Sequence, residues 1–262
     1  MADASYLTER RPDGVLWLTL NRPEIHNAFD DRQIVELTRA FGDLASDDTV
    51  RAVVLTGTGR SFSAGADVNW MRRTATYTED DNLRDAKSLA KLMRVLHELP
   101  KPTVARVNGA ALGGGTGLVA CCDIVVASEQ AVFGTTEVRL GIIPAVIGPY
   151  VLAAIGPRQA RRLMLTGERI TAREAARIGL VHEVVAPDEL DAAVEKVLSH
   201  LLAGGPAAIA AAKRLVLDLS GRVISPKLVE ETARRIAALR GSPEAREGLS
   251  AFLEKRKPGW IG

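Results

Sequence analysis

Two stretches of this chain carry residue types that could do chemistry. Gly113-Gly114-Gly115 enters Gly115–Cys122, which has room for only a short helix. Without side chains, glycines let backbone N–H groups approach a ligand atom closely. A first helical turn leaves N–H groups unpaired, and the helix dipole adds positive potential there. That combination suits an anion. The second stretch places Glu137 within Phe133-Gly-Thr-Thr-Glu-Val-Arg-Leu-Gly-Ile-Ile-Pro144, an apolar, glycine-bearing setting. A carboxylate partly withdrawn from water has a raised pKa and suits proton transfer. Each stretch also has a plainer reading. The glycines could serve close helix packing, and Glu137 could be a helix-start residue or pair with Arg139. Gly115-Thr-Gly117-Leu-Val-Ala120 matches a dinucleotide fingerprint, with Glu137 near the acidic position. Its context argues against that use. Asn108–Leu112 intervenes after the preceding strand, and the helix is too short to be a crossover.

Five blocks resemble the crotonase (enoyl-CoA hydratase/isomerase) family: Asn21–Ala28, Phe62–Met71, Val107–Gly117, Glu137–Pro144 and Ala251–Pro258. The likeness covers essentially the whole chain. It implies an α/β fold, a spiral of ββα units over residues 1–203. Residues 204–262 would form a C-terminal helical segment that assembles a homotrimer or a dimer of trimers. The anion becomes the enolate oxygen of an acyl-CoA thioester, held by the N–H groups of Ala66 and Gly114. Loss of one such donor typically costs about 100- to 1000-fold in rate. Glu137 takes the catalytic acid/base role. Ala64, Asp67 and Val68 line the coenzyme A pocket. Arg22, His26 and Ala28 meet the pantetheine and phosphate end, where Arg22 could pair with phosphate. Phe252 and Lys255 reach coenzyme A bound to a neighbouring subunit. By residue type alone, His26 also fits a solvent-facing loop, and Lys255-Arg-Lys257 a basic helix end. No metal or redox cofactor is implied. Coenzyme A enters as part of the substrate.

The chain departs from the family pattern at one decisive place. Typical hydratases carry a second glutamate just after the triple glycine, and this chain has Gly117. Thr116 could hydrogen-bond a water but is a poor base. Ala145 replaces the usual glycine after the proline. A single carboxylate could relay a proton from water to the α-carbon, or shuttle one between the α- and γ-carbons, which is isomerisation. The chemistry alone favours isomerase. Ser63–Met71, Gly113–Gly117 and Ile142–Tyr150 look instead like a bacterial branch acting on branched or carboxylated enoyl-CoAs, such as methylglutaconyl-CoA and γ-carboxygeranoyl-CoA. Hydratase is therefore the expectation, with isomerase and a non-catalytic acyl-CoA binder as alternatives. Trp70, Met71 and Tyr150 are candidates for shaping the acyl pocket, although core packing accounts for each as well.

The elements that must position these residues are legible in outline. Val15–Asn21, Arg51–Thr56, Thr103–Val107 and Ile124–Ala127 read as strands. Asp31–Ser46 and Asp80–Leu99 have helical spacing, the latter stopped by Pro100 and Pro102. Beyond Pro144 the pattern is mostly helical: Tyr150–Ile155, Pro157–Leu165, Ala172–Ile178, Pro187–Leu202, Pro206–Leu219, Pro226–Leu239 and Pro243–Arg256. Several of these start with proline or just after an N-capping residue, as at Ser225-Pro226 and Ser242-Pro243. Gly204-Gly205 is the best linker.

Bulk properties narrow the class. The chain has 262 residues, 47% apolar and 25% charged, as in an ordinary globular protein. Its charge balance is 34 − 32 = +2, which gives no reason to expect nucleic acid or an anionic membrane as partner. The adjacent Cys121 and Cys122 read as buried thiols in a reducing compartment. No apolar run reaches membrane-spanning length, and the start lacks a signal sequence. A cytoplasmic location is expected.

Overall fold

The computed structural model describes residues 4–261. In chain order its elements are β1 (Tyr6–Arg10), β2 (Val15–Leu20), α1 (Asp31–Ala45), β3 (Ala52–Gly57), β4 (Ser61–Ser63), α2 (Val68–Thr74), α3 (Glu79–His97), β5 (Thr103–Val107), β6 (Ala110–Leu112), α4 (Gly114–Cys121), β7 (Ile124–Ser128) and β8 (Val132–Gly134). There follow α5 (Gly148–Thr166), β9 (Ile170–Thr171), α6 (Ala172–Arg177), β10 (Glu183–Val185), α7 (Leu190–Ala203), α8 (Pro206–Leu219), α9 (Pro226–Arg240) and α10 (Pro243–Leu253).

Two sheets organise the chain. One has the order β1-β2-β3-β5-β7-β10, the other β4-β6-β8-β9. From β3 onward the chain gives one strand to the first sheet, the next to the second, and then a helix. Three such turns, β3-β4-α2/α3, β5-β6-α4 and β7-β8, wind into a spiral of parallel pairs. The expected α/β spiral is what forms. Parallel strands buried on both faces read as continuous apolar runs, and all of β3 is buried. Alternate side chains then go to opposite layers. Val53 and Leu55 enter the main core, while Ala52 and Val54 pack under α7 with Val104, Val194 and Leu198.

The long helices start where caps dictate. The Asp30 side chain accepts from Gln33 N–H at the start of α1, and Thr78 with Asp81 forms a capping box on α3. Ser225 and Ser242 cap α9 and α10, each followed by proline. The two helices expected between Tyr150 and Leu165 are both present: α5 is two helical segments that meet at Gly156, whose φ 70° and ψ 166° are non-helical, just before Pro157. The last helix stops at Leu253, short of Arg256, and Lys255 lies beyond it at φ 54°. Lys213 on α8 is partly buried, its Nζ donating to Asp123 Oδ2 (2.7 Å) and Lys101 O (3.2 Å). Sequence periodicity passes over β4, β6, β8 and β9, the short strands of the second sheet. Those strands are what bring the glycine loops together.

Candidate active site

Gly113 is the N-cap of α4 at φ 51°, ψ −121°, a region of backbone space open essentially to glycine. A Cβ there would lie 3.3 Å from Glu137 Oε1. The glycine therefore keeps the carboxylate's approach to the helix start open. Glu137 opens a 3₁₀ turn, Glu137–Leu140, and is half-buried. Its Oε2 is buried and has no hydrogen-bond partner among the described residues. Burial pushes its carboxyl pKa up, opposed only by its own backbone N–H. No neighbouring cation contributes, so the ion pair with Arg139 does not form.

Two backbone donors flank this carboxylate. After β4 the chain bridges Phe29 in parallel: Phe29 N–H donates to Gly65 O (2.8 Å) and Asp67 N–H to Phe29 O (3.0 Å). The residue between those two bonds turns its own N–H away from Phe29. That residue is Ala66. Gly65 sits at φ 87°, and a Cβ on it would lie 3.2 Å from Gly114 N, so the two turns abut. Neither Ala66 N–H nor Gly114 N–H donates to an acceptor among the described residues. Gly114 has its own steric reason to be glycine, since a Cβ there would collide with the Phe29 ring.

Position 117 faces Ile147. A Cβ on Gly117 would overlap Ile147 Cγ2, lie 2.8 Å from Ile147 Cβ and 3.3 Å from Met93 Cε. Ile147 is 2% exposed. Isoleucine thus fills the space a side chain at 117 would need. Thr116 does not serve a water, contrary to the sequence expectation. It is buried, its Oγ1 lying 2.7 Å from Ala111 O and 3.0 Å from Gly134 O while accepting from Gly134 N–H at 3.2 Å. It ties α4 to β6 and β8.

Ala66, Gly114, Phe29 and Glu137 line one cavity of about 400 Å³, toward the small end of ligand sites. Its walls continue through Trp70 and Met71 on α2, Asp85 and Leu89 on α3, and Ile142–Ile147. Trp70 and Met71 fall where expected, and Ala145 lines the cavity too. Tyr150 does not. It stacks edge-on against His97, ring centroids 5.0 Å apart. Asp85 is a lining residue that the sequence does not single out, because an aspartate on an exposed-looking helix carries no local signal. A larger cleft of about 890 Å³ lies around Arg51 and Trp260, away from these groups. There the Arg51 guanidinium is spent on the carbonyls of Trp260, Leu202 and Gly204.

Comparison with known proteins places this geometry in a family. The model of the family described as "Enoyl-CoA hydratase/isomerase" matches residues 10–262. The chain belongs to the enoyl-CoA hydratase/isomerase family. A solved enoyl-CoA hydratase from Shewanella pealeana superposes with a TM-score of 0.95 at 42% identity, covering 98% of this chain and 96% of that one. A putative enoyl-CoA hydratase of Thermus thermophilus is 38% identical, over 91% of this chain and 94% of its own. The 2,3-dehydroadipyl-CoA hydratase of Escherichia coli is 36% identical, over 98% and 99%. The family is enzymatic, and its members act on acyl-CoA thioesters.

The remaining residues the family pattern points to divide into two groups. Arg22, His26, Ala28, Ala64 and Asp67 are stitched into one wall. Ala64 N–H donates to His26 O (2.9 Å), and Arg22 reaches Ala28 O (3.0 Å), Asp67 Oδ2 (3.0 Å) and Asp30 Oδ2 (3.2 Å). Arg22 is thereby engaged with three protein acceptors, so its first role is to hold the wall. His26 is not a free loop histidine: Nδ1 meets Ser61 Oγ (3.0 Å) and Nε2 meets Arg60 (3.1 Å). Asp67 caps α2, and Val68 beside it is exposed. Asn27, which sequence reasoning passes over, is the buried hub. Its Nδ2 donates to Thr58 O and Ser61 O, and its Oδ1 accepts from Arg22 N–H. The second group, Phe252 and Lys255, lies at the end of α10 and does not line the cavity. Cys121 and Cys122 are free, buried thiols, with burial pushing Cys122 up to about 12.

Proposed function

We propose that this chain is an enoyl-CoA hydratase that works with one carboxylate. The observation that carries the reading is the Glu137 Oε2, buried without a partner, in the cavity that also presents the unpaired N–H groups of Ala66 and Gly114. The thioester oxygen accepts from those two donors, which stabilise it as enolate charge develops. Ionised Glu137 takes a proton from water as the water oxygen bonds to C3. The same carboxyl then gives that proton to C2. One water O–H bond and the C2–C3 π bond break, and one C–O and one C–H bond form, on the same face.

The packing of Ile147 against Gly117 favours a second reading, Δ3,Δ2-enoyl-CoA isomerase. It leaves an apolar wall where a water-holding carboxylate would stand. In that reaction Glu137 moves a proton between C2 and C4 and needs no water.

The acyl group we assign is uncharged and branched. The sequence blocks and the relative named for dehydroadipyl-CoA support a carboxylated chain, of the methylglutaconyl-CoA type. Among the described residues, however, the cavity is lined by two carboxylates, Glu137 and Asp85, and by no lysine or arginine. A homotrimer or dimer of trimers is supported by exposed apolar side chains on and between the C-terminal helices, such as Val223, Ile224, Phe252 and Leu253. In that assembly Phe252 and Lys255 reach a neighbour's coenzyme A. Two free thiols support a cytoplasmic location.

The test is incubation with crotonyl-CoA and with a 3-enoyl-CoA, in parallel with Glu137→Gln. Water gain on crotonyl-CoA, reduced about 100-fold or more in the variant, is the expected result. Double-bond migration without water gain would establish the isomerase instead.

A further inference from the structure

The mechanism leaves one ionisable group in the cavity unused. Asp85 sits on α3, on the face that also presents Asn82 and Leu89 to the cavity. Its Oδ1 accepts from Trp70 Nε1 at 3.1 Å. Trp70 is itself 5% exposed, which fixes the carboxylate against a rigid neighbour. Oδ2 makes no hydrogen bond among the described residues. The site is therefore a held acceptor with one oxygen left over.

The surroundings sharpen its character. Burial is the main force raising the Asp85 carboxyl; the Trp70 hydrogen bond opposes it, Asp31 adds like-charge repulsion and Arg73 gives a smaller relief. Arg73 is committed to Asp31 at 2.5 Å and does not line the cavity. The neighbouring wall is otherwise apolar or weakly polar: Trp70, Met71, Thr74 and Leu89. An acyl chain seated there would displace water from Asp85 and leave its free oxygen facing the chain's tail.

We propose that Asp85 sets acyl specificity, selecting chains that carry a hydrogen-bond donor such as a hydroxyl and rejecting chains that end in a carboxylate. A donor restores the hydrogen bond that water loses, and bonds to a charged acceptor are among the strong ones. A second carboxylate meets like charge in a partly desolvated space, the repulsive half of specificity. A plain alkyl chain leaves Oδ2 dry and unpaired, so it ranks between the two. This inference rests on the acyl-CoA reading of the cavity, but not on whether the reaction is hydration or isomerisation.

The test uses saturated acyl-CoAs, which neither reaction consumes. Dissociation constants are measured by calorimetry for alkanoyl-, ω-hydroxyalkanoyl- and ω-carboxyalkanoyl-CoA of five to eight carbons, on the wild type and on Asp85→Asn. Asparagine keeps an acceptor for Trp70 Nε1 and removes the charge. The wild type should bind the hydroxylated chain at least 10-fold tighter than the carboxylated chain at the best length. Asp85→Asn should shrink that ratio at least 5-fold, mainly by tightening the carboxylated ligand, with the alkyl ligand changed less than 3-fold. A wild type that binds the carboxylated chain as well as the hydroxylated one, or a ratio unmoved by the substitution, overturns the proposal. Failure of the one-carboxylate hydratase reading shows separately, as Glu137-independent or absent turnover of enoyl-CoA while these binding ratios stand.

Discussion

If Ile147 occupies the space that a residue at 117 would need, Gly117→Glu alone should damage the protein without building a second catalytic carboxylate. The first added atom already overlaps Ile147 Cγ2 and sits 2.8 Å from Ile147 Cβ, where carbon pairs prefer about 3.5–4.0 Å. Met93 Cε at 3.3 Å blocks relief on the other side. Overpacking of this kind costs about 1–3 kcal/mol, and forcing a carboxylate against apolar neighbours adds to it. The helix-propensity gain on replacing glycine is only about 0.5–1 kcal/mol. A net loss of about 3 kcal/mol should lower Tm by about 6–12 °C in a chain of this size. Ile147→Gly removes the clash. Position 147 is the N-cap of α5, where glycine is well tolerated. Alone it empties a buried site and costs about 2–5 kcal/mol. The double variant should recover about 2 kcal/mol relative to the sum of the singles, and it should hydrate crotonyl-CoA faster than Gly117→Glu does. The assay is a thermal melt of all four proteins at one protein concentration, followed by turnover at a temperature where all are folded. Wild-type Tm for Gly117→Glu, or strict additivity of the pair, would refute the steric account.

Two further outcomes follow from the site. The Glu137 carboxyl is raised above its ordinary 4.5 by burial. Below that pH both folded and unfolded chains hold the proton, whereas above the folded value the native state carries a buried charge. Stability at this site is therefore lost as pH rises through the window. The Tm of Glu137→Gln minus that of the wild type should increase between pH 4 and pH 8, and a flat or falling difference would contradict the assignment. Arg22→Ala strands the nearly buried Asp67 carboxylate and frees Ala28 O, costing about 2 kcal/mol. Arg22→Lys should not restore the loss, because a single ammonium lacks the fork that reaches three acceptors. A lower Tm with little change in acyl-CoA KM is expected, and the reverse pattern would make Arg22 a phosphate ligand instead.

What is legible in the amino-acid sequence is what leaves a local trace. The long strands and helices announce themselves through burial period and capping residues, as in Asp31–Ala45 and Glu79–His97. Gly114, Ala66 and Glu137 are singled out in the sequence because their blocks resemble a family pattern. The second sheet is not, since strands of two or three residues such as Ser61–Ser63 and Ala110–Leu112 have no period to detect. The roles of Thr116 and Ile147 depend on partners 18 and 30 positions away in the chain, so no local rule exposes them. Thr116 carries a hydroxyl that could hydrogen-bond a water, and the fold uses it as a buried clasp. Gly117 reads as a simple deletion of function, but it is one half of a packed pair. A side chain at 117 and isoleucine at 147 compete for one space, so substitution at either position alone cannot report on the chemistry of the other.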